Sequence, residues 1–109
     1  MAYNENLAKR IESRIYSIKE LDAKKMFGGI GYMVNGHMAI GVHNDNMIIR
    51  VGTENYDELL SKPFAQEFDI TGRSMTGWIM VDVKHLESDD DLEFWIKTGI
   101  DFASSLPPK

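Results

Sequence analysis

Residues 26 to 51 constrain this chain more than any other segment. Met26-Phe27-Gly28-Gly29-Ile30-Gly31-Tyr32-Met33-Val34 reads as an extended run that stops at Asn35-Gly36, a dipeptide whose two residues both accept the positive φ of a type I′ hairpin turn. His37 to His43 resumes in extended form, Asn44-Asp45-Asn46 supplies a second turn, and Met47-Ile48-Ile49-Arg50-Val51 makes a third strand. Connections this short cannot carry a parallel crossover, so the segment predicts a three-stranded antiparallel meander.

Helical periodicity flanks the meander. From Asn4, an acceptable cap, Leu7, Ile11, Ile15 and Ile18 recur at helical spacing, with Glu5 and Lys9 placed for an i,i+4 pair, and predict an amphipathic first helix of about four turns. Beyond the meander, Thr53 can cap a short helix carrying Tyr56, Leu59 and Leu60, which Pro63 ends. Ser61 to Gly77 has the least periodicity, and Phe64 and Phe68 are expected to anchor it to the core. Trp78-Ile79-Met80-Val81 reads as a fourth main strand. Ser88 followed by Asp91 resembles a capping box, and Leu92, Trp95, Ile96, Ile100 and Ala103 form the buried stripe of a last helix stopped by Pro107 and Pro108. The expected fold is α+β, an antiparallel sheet with the N- and C-terminal helices packed on one face.

At 109 residues, without a Pro-, Ser- or Gly-rich linker, the chain is expected to form a single domain spanning 1–109. The absence of cysteine rules out disulfides, zinc-thiolate sites and thiol nucleophiles. The start, Met1-Ala2-Tyr3-Asn4-Glu5, lacks the basic and apolar regions of a signal peptide, and no apolar run is long enough for a membrane span, so the expected location is the cytoplasm, without a membrane partner. Charge is uneven. Residues 1 to 50 carry seven basic and five acidic side chains, residues 51 to 109 five and twelve, giving +2 and −7 and a net −5. Nucleic-acid binding depends on cations that displace counterions from phosphate, and the basic cluster of Lys9, Arg10, Arg14, Lys24 and Lys25 is modest, so direct nucleic-acid contact is not expected.

The candidate chemical motifs fail on context. Gly31 to Gly36 has the spacing of a phosphate loop, but His37-Met38 follows where Lys-Ser/Thr is required, and a strand follows where a helix is required. Val34 occupies the third-glycine position of a dinucleotide fingerprint. His37 and His43, six residues apart on one strand, are separated by roughly 20 Å, far beyond a shared metal. Asp89-Asp90-Asp91 lies at a helix start, where the unpaired amides favour carboxylates, and lacks the alternation and glycine of a calcium loop. No nucleophile elbow is present, and neither a catalytic residue, a cofactor nor a metal is expected. Arg50, Arg73 and Trp78 are the candidate interaction residues. Arg50, Arg73 and His85 would be the polar groups of a small-molecule enzyme if the fold brought them together. Met33, Met38, Met47 and Met80 are expected in the core; if exposed, they would form the compliant surface of a peptide- or protein-binding, chaperone-like module.

The run Met26 to Tyr32, the Asn35-Gly36 turn, Arg73-Ser74-Met75-Thr76-Gly77-Trp78 and the terminal Ser104-Ser105-Leu106-Pro107-Pro108-Lys109 together resemble the N-terminal domain of the TfoX/Sxy competence regulators. The resemblance covers nearly the whole chain. It implies a small bacterial α+β domain similar to secretion-chaperone-like folds, which tend to pair as homodimers. It also implies a non-catalytic role in transcriptional regulation through protein contacts, since full-length relatives activate DNA-uptake genes with the cyclic-AMP receptor protein. In those regulators a C-terminal domain follows, so the resemblance is to half of such a regulator standing alone. The family offers no agreed catalytic residues, and its motif residues Met26, Phe27, Gly28, Gly29, Gly31, Gly36 and Gly77 read as structural.

Overall fold

The structure, a computed structural model, describes residues 3–18, 21–26, 28–69 and 74–107; of residues 26, 69, 74 and 75 it describes the backbone only. Helix α1 spans Glu5–Ile15. The Asn4 side chain accepts from the Leu7 amide at 2.9 Å, meeting one of the unpaired donors of the first turn. Leu7, Ala8, Ile11 and Ile15 make the buried stripe. The helix is shorter than its periodicity suggests: Tyr16 caps it, and Ile18 packs on the core from beyond the helix end.

The strands are β1 (Leu21–Met26), β2 (Gly29–Val34), β3 (His37–His43), β4 (Asn46–Arg50), β5 (Gln66–Asp69) and β6 (Ser74–Asp82), in spatial order β1-β2-β3-β4-β6-β5 and all antiparallel. Asn35 and Gly36 take φ of 53° and 86°, the double positive φ that their sequence predicts for the β2–β3 turn. What reads as one strand from Met26 to Val34 is instead the end of β1 and the whole of β2, so the meander has four strands. Leu21-Asp22-Ala23-Lys24-Lys25 carries no apolar alternation because an edge strand exposed on both faces needs none. The irregular stretch from Ser61 contains β5 and the start of β6, which begins four residues before Trp78. Of the described side chains of β5, Phe68 is buried and Gln66 and Glu67 are exposed, and the strand depends on β6 for its pairing.

Helix α2 (Tyr56–Leu60) starts from Asn55 rather than Thr53, without a side-chain cap bond. One turn of 3₁₀ helix, Val83–His85, leads to α3 (Asp89–Ser104), where the Ser88 hydroxyl accepts from the Asp91 amide at 3.5 Å and all three aspartates fall in the first turn. Leu92, Trp95, Ile96 and Ala103 are buried as their spacing predicts, while Ile100 is only partly buried against the core.

Strand register sorts the sheet into two faces. Tyr32, Ile40, Ile49 and Ile79 form one cross-strand row, and Ile30, Val42, Met47 and Val81 the next. Helix α3 lies on this face: a Cβ on Gly99 would stand 2.5 Å from the Ala39 carbonyl oxygen and 3.0 Å from Ile40 Cγ1, so glycine permits the close approach. Helix α1 lies on the same side, reached by the Tyr32 hydroxyl. The other face presents the row Lys24, Gly31, Gly41, Ile48, Met80 and Gln66 across all six strands, with Met33 beside Met38 and Arg50 beside Trp78. Ile48 is buried there yet lies outside the helix-packed core. Met47 belongs to the core, whereas Met33, Met38 and Met80 share the second face half-buried, which divides the methionines that the sequence places together in the core.

Candidate functional site

Two clefts flank α3. The first lies toward its C-terminal end. β4 and β6 pair so that Arg50 stands opposite Trp78, and the Arg50 guanidinium sits 5.5 Å from the Trp78 ring and 5.5 Å from the ring of Phe102. The planar cation thereby meets two aromatic rings, an arrangement a lysine would not reproduce. A cleft of about 540 Å³ adjoins it, lined among others by Val51, Glu54, Asp101 and Phe102. Two of the three candidate interaction residues therefore meet; Arg73 lies outside the described residues.

The second cleft, of about 420 Å³, lies where the segment after α2 faces the N-terminal half of α3. Phe64 stacks on His85 with ring centroids 3.7 Å apart and planes 8° from parallel. Lys62 Nζ lies 4.8 Å from the Phe94 ring, and Phe94 meets Trp95 edge-on at 5.1 Å. Phe64 is 58% exposed and Phe94 41% exposed, although aromatic rings contribute most when buried. The expectation that Phe64 anchors its segment in the core is therefore corrected: Phe68 is buried, and Phe64 points outward from a backbone at φ 71°, a left-handed conformation that is unfavourable for a bulky side chain. The sequence does not mark Phe64 and Phe94 as a surface pair. A partial signal is present, since Phe94 falls off the buried stripe of α3; its place beside Lys62 and in one cleft with Phe64 has no sequence signature.

The remaining candidates do not converge. His85 lies in the second cleft and Arg50 beside the first, so these two do not form one polar site. His37 and His43 occupy opposite ends of β3, with His37 Nε2 donating to the Pro107 carbonyl at 2.6 Å. Among the described residues no group of three His, Asp or Glu side chains is placed to hold a metal. The basic residues of α1 are partly neutralised, as Asp89 takes Arg10 at 3.2 Å and Arg14 at 2.8 Å. The Tyr32 hydroxyl, buried in the core, donates to Glu12 Oε2 at 2.7 Å, and burial followed by that bond to a carboxylate drives its pKa far upward. It is a core group and lines neither cleft.

Of the described motif residues, Met26, Gly29, Gly31 and Gly77 lie in strands and Gly28 and Gly36 in turns. Met26 ends β1, Phe27 falls outside the described residues, and Gly28 precedes β2. A Cβ on Gly29 would collide with the Val42 carbonyl oxygen of β3, and Gly31 faces Gly41 across the same pair. Gly77, at φ 94°, lies in β6 with its carbonyl accepting from the Val51 and Gly52 amides at 2.8 and 3.1 Å. No helix among the described residues is long and apolar enough to cross a membrane.

The chain is an α+β domain with two helices on one face of a six-stranded antiparallel sheet. The chain belongs to the TfoX N-terminal domain family, whose model matches residues 13–103. No curated protein and no solved structure matches it.

Proposed function

We propose that this chain is a non-catalytic regulatory module of competence type, acting in the cytoplasm as a homodimer and through contact with a protein partner, a component of transcription. The observation that carries the reading is the cleft in which Phe64 and Phe94 are held exposed beside His85 and Lys62. A left-handed backbone at Phe64 carries a cost, and the ring it orients, although stacked on His85, stays mostly in solvent. A protein surface that buried both rings would recover it. Family membership supplies the regulatory context. The charge of −5, with twelve acidic side chains after residue 50, supports contact with a protein over contact with DNA.

Capture from bacterial lysate with wild type and with Phe64→Ser/Phe94→Ser tests this. Transcription components retained by wild type and lost by the variant are expected. Recovery of unrelated metabolic enzymes alone, or equal recovery by both proteins, would reject it.

A peptide-binding, chaperone-like role is the second reading, supported by Met33 beside Met38, with Met80 on the same second sheet face. It is distinguished by binding that survives the Phe64 and Phe94 changes and fails on Met38→Glu.

A further inference from the structure

The two edges of the sheet differ. β5 is four residues long, carries Glu67 and Asp69, and has a register break against β6 between those residues. Shortness, like charge and a break in register of this kind, blunts an edge. β1 is six residues long and pairs with β2 without a break from Leu21–Val34 to Met26–Gly29, so its outer edge is regular. Asp22, Ala23, Lys24 and Lys25 are all exposed.

Adjacent lysines on an edge strand ordinarily discourage pairing. Here the order of charges matters more than their number. When two copies of one strand pair antiparallel about a two-fold axis normal to the sheet, facing side chains must share a face, so the axis passes between two copies of the same residue. An axis at Asp22 sets two aspartates opposite each other, and an axis at Lys24 or Lys25 does the same with lysines. An axis at Ala23 sets Asp22 opposite Lys24 of the partner subunit, twice by symmetry, with Leu21 opposite the aliphatic stem of Lys25 of the partner subunit. This holds whichever alternate residues turn their N–H and C=O groups outward.

We infer that the β1 edge is a self-association surface, where a second copy of this chain pairs antiparallel about Ala23 and extends the six-stranded sheet to a continuous one across the dimer. This rests on the homodimer reading above and names its interface. Asp22 and Lys24 lie on the second sheet face, in register with Met33 and Gly31, so the methionine-bearing face continues from one subunit to the next. The clefts flanking α3 belong to elements beyond β1 and stay open for another partner.

The test is sedimentation of the full chain at micromolar concentration with Lys24→Asp and with Asp22→Lys/Lys24→Asp. The single reversal turns two attractive pairs into two repulsive ones and is expected to weaken self-association roughly tenfold or more at low salt, while the double reversal restores it. Circular dichroism establishes that each variant is folded. Independently, Ala23→Cys introduces the chain's sole thiol. Facing Cα atoms about 4.5 to 5.5 Å apart fall within disulfide range, so mild oxidation is expected to yield a covalent dimer that Glu67→Cys on β5 does not. A wild type that sediments as a monomer throughout overturns both the homodimer reading and this interface. A wild-type dimer that ignores the charge reversal, and in which Ala23→Cys cross-links no better than Glu67→Cys, overturns the interface alone.

Discussion

The hydroxyl of Tyr32, on a side chain with no solvent exposure, donates to the carboxylate of Glu12 across 2.7 Å and so ties the covered face of the sheet to α1. The Ala8 carbonyl, at 3.4 Å, is a second and longer acceptor. Tyr32→Phe keeps the ring and removes the donor. Glu12 is exposed and regains water, so the expected loss is that of one buried hydrogen bond, about 1 kcal/mol, read from the urea unfolding midpoint.

The same hydroxyl sets an alkaline limit. Its pKa in the folded state lies well above the ordinary tyrosine value of about 10, first because it is buried and then because it bonds a carboxylate. Above about pH 10 the unfolded chain releases this proton and the folded chain retains it, so the stability contribution is complete below that pH and falls as pH rises further. Tyr32→Phe is expected to flatten part of this decline in unfolding free energies measured between pH 8 and 11.

Gly99→Ala sets two effects against each other. Alanine gains about 1 kcal/mol of helix propensity. The new methyl would stand 2.5 Å from the Ala39 carbonyl oxygen and 3.2 Å from Ile49 Cγ2, and moving a packed helix off a sheet costs about 1–3 kcal/mol. A backbone oxygen cannot swing aside, so the cost is expected to win, with net destabilisation of up to about 2 kcal/mol by thermal unfolding and the helical circular dichroism signal retained.

Arg10 and Asp89 form an ion pair, but their truncations are expected to differ. Arg10 donates to the Leu86 carbonyl at 2.8 Å and to the Glu87 carbonyl at 3.3 Å, joining α1 to the approach to α3, as well as to Asp89. Asp89 is 69% exposed, so water screens its two arginine contacts. Arg10→Ala should cost about 1–2 kcal/mol and Asp89→Ala about 0.5 kcal/mol or less, the latter vanishing in high salt.

Arg50→Ala is expected to cost about 1 kcal/mol through loss of the two aromatic contacts, with Arg50→Lys intermediate because it keeps the charge and loses the plane. Trp78 reports the change directly in tryptophan fluorescence. An unaltered spectrum in Arg50→Ala would show that the guanidinium does not rest on the indole.

What could be read without the structure was local. The Asn35-Gly36 turn follows from two residues that tolerate positive φ, the caps at Asn4 and Ser88 from short polar side chains before apolar periodicity, and the α3 stripe from the helical repeat. Each depends on residues within a turn or two of one another, so side-chain chemistry alone specifies it. β1 and β5 do not have that property. Their side chains are mostly exposed and carry no alternation, and they are strands because β2 and β6 offer backbone partners. Likewise, Arg50 and Trp78 can each be picked out as single residues, but the β4–β6 register puts them together and α3 adds Phe102. The outward turn of Phe64, its stack on His85 and its nearness to Phe94 join three separate segments. The sequence by itself determined the Asn35-Gly36 turn, the caps at Asn4 and Ser88, the buried stripes and the α+β class, because these are set by neighbours along the chain. The tertiary structure decided the sheet's edges and the make-up of both clefts, because pairing and exposure depend on residues that the chain brings together from a distance.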